Sequence, residues 1–153
     1  MTLPVEKIKQ LVQSQRSLNL STINEDLSPL SSYAPFYLED GLFYVFLSRL
    51  ASHYENLVRS PKVSIMIIED EADCSDIFAR QRLEFLCKAN VMASEHAESD
   101  AILSRFETKA GETFSLLRSL PDFSLFQLSP MRGSFVEGFG RAFELKNGHF
   151  LQS

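Results

Sequence analysis

Between Arg82 and Ser94 the chain reads RLEFLCKANVMAS, with Leu83, Phe85, Cys87, Ala89, Val91 and Ala93 all on one parity. A period of two held over that length predicts a long strand with one face in a core, and such a strand needs neighbours for its backbone amides. The chain supplies them. SLNLSTIN (17–24) alternates, SSYAPFYL (31–38) is aromatic and extended around Pro35, and GLFYVFLS (41–48) and VSIMIIED (63–70) are almost continuously apolar. Turn-forming residues separate the first three runs, at Asn24–Pro29 and Glu39–Gly41. FSLFQLSP (123–130) and GSFVEGFGRAFEL (133–145) supply the last strands.

Helical spacing is confined to three places. Val5, Ile8, Leu11 and Val12 mark an amphipathic N-terminal helix that starts at Pro4. Leu50, Tyr54, Leu57 and Val58 mark a short helix that Pro61 stops, with Arg49, Ser52, His53 and Asn56 on its other face. Ile102, Phe106 and Ala110, then Phe114 and Leu117, mark two more, with Gly111 as the break. So many strands with so few helices predict an α+β chain built on a barrel or closed sheet. The length of 153 residues and the 44% hydrophobic content fit one domain over 1–153, with its core at about 15–145 behind the helix of residues 1–16.

Charge narrows the function. A net charge of −5 without a basic block argues against a nucleic-acid binder, which must displace phosphate counterions with Lys and Arg. No apolar run is long enough to span a bilayer and MTLPVEKIKQLVQSQ carries no secretory signal, so no membrane partner is expected and a cytoplasmic location is. Cys74 and Cys87 lack metal-site or disulfide spacing and read as buried or incidental thiols.

Candidate chemistry is sparse. Gly133, Gly138 and Gly140 do not form a phosphate loop, because no Lys-Ser/Thr follows and no helix does. By strand parity Val136, Gly138, Gly140 and Ala142 share a bare face and Phe135, Phe139 and Phe143 a packed one, so the bare face admits either a neighbouring backbone or a planar ligand. Ser48, Arg49, Ser52 and His53 gather at a helix start, where free N–H groups favour a phosphate or carboxylate; the same residues also suit a solvated helix face. His96 starts a helix in a polar stretch and reads as exposed, and His149 lies in the tail KNGHFLQS, expected to fray. Asp122 reads as a turn residue after Pro121, and Arg82 as either an edge charge or an anion contact on an apolar strand.

Several blocks in order carry a resemblance: SYAPF (32–36), SRLASHYENLVRSPKVSIMIIEDE (48–71), FARQRLEF (78–85), DFSLFQLSP (122–130) and FVEGFGRAFEL (135–145). Together they resemble the haem-utilisation, haem-degrading branch of the pyridoxamine-phosphate-oxidase-like split barrels, over roughly residues 15–145. The resemblance implies a six-stranded split β-barrel with flanking helices, a homodimer, and cofactor sites in the grooves between protomers. It implies cofactor-binding roles for Ser48, Arg49, Ser52, His53, Arg82 and Asp122. His53 stands where the flavin-binding members often place a phosphate-binding Lys, Arg82 would meet a propionate or the interface, and Asp122 would hydrogen-bond the proximal His. The branch's axial His belongs to a C-terminal extension beyond Ser153; His149, the only C-terminal imidazole, is off that position, so the metal ligand and the catalytic residues stay unassigned.

The expected function is therefore haem binding in haem or iron utilisation, with oxidative haem degradation at a dimer-interface groove and electrons from an external donor. Two alternatives remain at this point, an FMN-binding oxidoreductase and a non-catalytic haem carrier. The cofactor is haem or FMN.

Overall fold

A computed structural model describes residues 2–152 of the chain. Its elements, in order, are α1 (Val5–Ser14), β1 (Ser17–Ile23), β2 (Pro29–Glu39), β3 (Leu42–Ser48), α2 (Ser52–Arg59), β4 (Lys62–Ile68), β5 (Arg82–Met92), α3 (Ala97–Ala110), α4 (Glu112–Arg118), β6 (Phe123–Gly138) and β7 (Arg141–Leu145), with short 3₁₀ turns at Glu71–Asp73, Ile77–Ala79 and His149–Leu151. All strand pairings are antiparallel. The strands run in the order β3-β2-β1-β4-β5-β6, and β3 pairs back onto β6, so six strands close into a barrel and β7 extends β6 as a hairpin. The sheet is the predicted six-stranded barrel with one strand added.

Parity places the core. Leu18, Leu20, Phe43, Val45, Val63, Ile65, Leu83, Phe85, Phe126 and Leu128 point inward and are buried. Ile8, Leu11 and Val12 of α1 join them through one helical stripe. A second, smaller core lies outside the barrel, where Ile102 and Phe106 of α3 and Phe114 of α4 pack on Tyr44 and Leu125. There the Phe106 and Phe114 rings are 4.5 Å apart and Phe106 stacks on Tyr37 at 5.8 Å. Glu39 ties the two layers together, accepting from Tyr37 Oη at 2.8 Å and from both arms of the Arg105 fork.

The barrel is not uniformly closed. The β5–β6 ladder runs from Arg82↔Val136 to Met92↔Leu125, whereas β2 and β3 pair only from Phe36↔Val45 to Glu39↔Leu42. Beyond Val45 the two strands part: β2 stays with β1 and β3 with β6. Helix α2 leaves β3 at this split, and its Tyr54 packs edge-on against Phe126 at 5.3 Å.

Four expectations are corrected. The strands expected at 123–130 and 133–145 are one strand through Pro130, then a hairpin; Pro130 is tolerated because the ladder shifts register between Leu86 and Cys87 and leaves Met131 as the extra residue. The bare glycine face is the turn of that hairpin. Phe135 and Phe143 pair in the core, but Phe139 is 68% exposed at the tip, where Gly140 takes φ +65° and neither Gly138 nor Gly140 meets a neighbour. Of the three glycines in this segment only Gly133 is needed for close approach: a Cβ there would collide with the Glu84 carbonyl oxygen and sit 2.7 Å from Phe85 Cδ1. The alternation of β5 buries Leu83 to Ala89 but leaves Val91 exposed, because β4 ends opposite Lys88 and the last residues have a neighbour on one side only. The tail does not fray, since Leu151 is buried and Phe150 packs 6.4 Å from the Phe85 ring.

Candidate functional site

The residues around the split come from elements distant in sequence. Ser48, the last residue of β3, pairs with Phe123 at the start of β6, which sets Ser48 beside Asp122. Ser48 Oγ donates to Asp122 Oδ2 at 2.8 Å, Arg49 N donates to the Asp122 carbonyl at 2.7 Å, and Arg49 Nη2 donates to the Pro121 carbonyl at 2.8 Å. Ser48 Oγ also accepts from Leu50 N at 3.1 Å, shaping the turn into α2. One carboxylate is thereby held in a fixed orientation, with Oδ2 engaged and Oδ1 without a hydrogen bond among the described residues.

His53 is drawn elsewhere. It stands half-buried on the first turn of α2, and its Nδ1 shares a hydrogen bond with Ser32 Oγ of β2 at 2.8 Å. Burial lowers its pKa from 6.5, so the ring is neutral at pH 7. Ser52, before it, is exposed. Asn56, on the polar face of α2, belongs neither to a solvated face nor to an anion site: it is buried, donates to Thr22 Oγ1 and Asn24 Oδ1, and accepts from Arg59. Its amide fastens α2 to β1, which satisfies a polar group that burial would otherwise penalise.

Arg82 opens β5, where Nη1 donates to the Arg80 carbonyl at 3.0 Å. It pairs with Ile68 of β4, and continuing the β1–β4 register sets Ile68 opposite Ser17, which pairs with Pro35 of β2. Pro35, Ser17, Ile68 and Arg82 therefore form one outward row across four strands, with Arg82 two strand spacings, about 10 Å, from Ser17. His96 stands at the start of α3 without a side-chain capping hydrogen bond and is exposed, as expected. His149 is not near this cluster: its turn packs on Gly41 in the β2–β3 hairpin, a strand length of about 20 Å from Ser48. Cys87 lies inside the barrel with its thiol pushed up to about 12 by burial, an inert group.

Over the Pro35–Ser17 end of that row opens a groove of about 510 Å³ between β2, the α1–β1 junction and the α3–α4 pair. Tyr33 and Pro35 form one wall, Phe106, Phe114 and Leu117 the apolar lining, and Arg16 and Lys109 bring cations. The groove and the Ser48–Asp122 pair are neighbours through rings: Phe114 lies 5.0 Å from Phe46 and Phe46 lies 5.2 Å from Phe123, the residue after Asp122. None of the six residues singled out in the sequence lines this groove. Its lining comes from β2, α3, α4, the α1–β1 junction and Asp70 just after β4, and no spacing in the sequence joins them. The one available signal is Tyr33 and Pro35, inside the SYAPF block.

A groove of this size, apolar with a few polar groups, falls within the usual range for a small-molecule site. Its aromatic lining and rim cations suit a flat apolar molecule with carboxylates. The helix start offers a phosphate a neutral imidazole at His53 and one cation, Arg49, whose guanidinium is partly engaged by the Pro121 carbonyl. Among the described residues no group of three or more His, Cys, Asp or Glu is placed to hold a metal ion. No helix among them is long and apolar enough to cross a membrane.

Comparison with known proteins bears on the family and the fold. The family model described as pyridoxamine 5'-phosphate oxidase matches residues 4–137. Heme oxygenase HutZ of Vibrio cholerae is 37% identical over 139 residues, covering 91% of this chain and 79% of that protein. Its crystal structure, described as a haem storage protein, superposes with a TM-score of 0.83 over 92% of this chain and 98% of that one. The crystal structure of Campylobacter jejuni ChuZ, 29% identical, gives a TM-score of 0.86 over 94% of this chain and 59% of that one. A plant protein, the chloroplastic non-canonical heme oxygenase HOZ of Arabidopsis thaliana, is 27% identical over 150 residues, 96% of this chain and 44% of its own length.

Proposed function

The chain belongs to the pyridoxamine 5'-phosphate oxidase family, and on that footing we propose that it is a haem-binding protein of haem utilisation that degrades haem oxidatively. The observation that carries this reading is the aromatic groove with its two rim cations, set beside an oriented carboxylate, in a chain 37% identical to a haem oxygenase along 91% of its length. Haem is a large apolar disc with two carboxylates, and the groove offers apolar lining and cations on that scale.

Haem supplies the iron and the oxygen chemistry when bound, with electrons from an external donor. The residues of this chain supply orientation. Asp122, fixed by Ser48, would offer its remaining carboxylate oxygen to orient a polar group that meets the bound haem. Arg49, braced on Pro121, holds the turn that presents Asp122. Ser52 and neutral His53 bring uncharged polar groups to the split, and Arg82, at the far end of the row, would be available to a propionate.

The functional unit in this reading is a homodimer whose second protomer completes the groove. Leu50 is 89% exposed beside the site, apolar surface that a partner subunit would cover. Sedimentation at micromolar concentration should return a dimer, and a monomer would remove this element of the reading.

Haemin added to the purified protein should give a Soret band with ligand-field features, which should disappear under a reductant and oxygen as an open-chain tetrapyrrole forms. A spectrum indistinguishable from free haemin ends the proposal. A bound spectrum that survives repeated reduction makes the protein a haem carrier instead.

A further inference from the structure

Arg16 and Lys109 are the two cations of the groove, and neither forms an ion pair among the described residues. In a chain of net charge −5, most of the Arg side chains near the helices are engaged: Arg105 with Glu39, Arg118 with Asp100 and Glu107, Arg141 with Glu137. Lys109 instead holds its ammonium 5.8 Å from the centre of the Phe36 ring, which places the charge over apolar surface. Arg16 is exposed at the α1–β1 junction, where its carbonyl accepts from Phe36 N and fixes the backbone against β2. The one carboxylate in the lining, Asp70, accepts from Gln15 Nε2 at 3.4 Å.

Between the cations the groove presents a flat, underused surface. Tyr33 is 67% exposed on a strand face, beside the rigid ring of Pro35, while Phe106, Phe114 and Leu117 lie below. A large exposed ring next to buried rings invites stacking by a planar molecule, and unpaired cations at the rim ask for anions. We propose that Arg16 and Lys109 are the carboxylate anchors of this groove and make it selective for planar apolar dicarboxylates over the corresponding neutral molecules.

This inference rests on the haem reading for its biological ligand, but it concerns carboxylates and not iron. Metal-free protoporphyrin IX and its dimethyl ester separate the two, because they share a ring and differ in the two charges. Fluorescence titration of the wild-type protein should show the diacid bound about tenfold more tightly than the ester, the scale of two partly exposed charge pairs. Arg16→Gln with Lys109→Gln should bring the two affinities together by weakening the diacid alone, and each single variant should remove part of the preference. Both side chains are exposed, so thermal midpoints should match the wild type and report that the fold is intact. A diacid preference unchanged in the double variant overturns the assignment, and so does a wild-type protein that binds neither porphyrin. Loss of the haem reading looks different: haemin would keep its free spectrum while the diacid preference for protoporphyrin persisted.

Discussion

The β4–β5–β6 side of the barrel and the β2–β3 side are built from the same kind of sequence, yet they end differently. On the first, β5 is paired along its full length with β6 and from Arg82 to Lys88 with β4, and the side chains facing in are Val63, Ile65, Leu83, Phe85 and Phe135, all buried. On the second, the strands separate after four pairs, a helix enters at the opening, and polar groups that a closed ladder would exclude find one another: Ser32 with His53, Ser48 with Asp122. Continuous ladders satisfy backbone groups and leave no room for chemistry, whereas a split must be stabilised by side chains and can present them. The closed side should carry stability and the split side binding.

Phe85→Ala should break the molecule on its closed side, at a cost of about 3–5 kcal/mol for a fully buried ring, read from the denaturant midpoint. If the loss is under about 1 kcal/mol, that side does not hold the fold. Gly133→Ala should cost about 3 kcal/mol although it adds one methyl group, because the added carbon meets the backbone of β5, which cannot turn aside. Asn56→Ala should cost about 2 kcal/mol, since Thr22, Asn24 and Arg59 lose a shared partner; this is the largest stability effect expected at the split.

Asp122→Asn sharpens the contrast in the other direction. Stability should change by about 1 kcal/mol or less, while haem affinity should fall about tenfold or more if Asp122 orients a group at the bound haem. Equal and large losses of both would mean that the Ser48–Asp122 pair is structural.

The smallest effect belongs to His53. Burial holds its pKa below 6.5, so below that pH the unfolded chain binds the proton more readily than the folded one. The stability that depends on a neutral His53 is complete above pH 6.5 and is lost as pH falls toward the lowered value. Thermal midpoints of the wild type minus those of His53→Gln should therefore decrease slightly from about pH 7.5 to about pH 5.5. A difference that grows on acidification would show the reverse shift.

Much of this was legible beforehand where the signal is local. The stripe Ile8, Leu11 and Val12 announced α1, Gly111 announced the break between α3 and α4, and the parity of Leu83 to Ala89 announced the buried face of β5. Reading failed where geometry depends on a neighbour. Phe139 shares parity with Phe135 and Phe143 but is carried outward by a turn, and Asn56 looks like a surface residue until β1 is packed beside it. Pro130 looks like a strand end until the register shift in the paired strand makes room for it.

The sequence alone determined that the chain would form a β-rich α+β domain, and its blocks in order pointed to the split-barrel family, because alternation and block order are properties of neighbouring positions. Only the tertiary structure decided which residues meet. Ser48 and Asp122 are 74 positions apart and share a 2.8 Å hydrogen bond, and the groove gathers residues from Ser14 to Leu117. Ladder register sets those meetings, and register is a relation between strands that no single stretch of the chain contains.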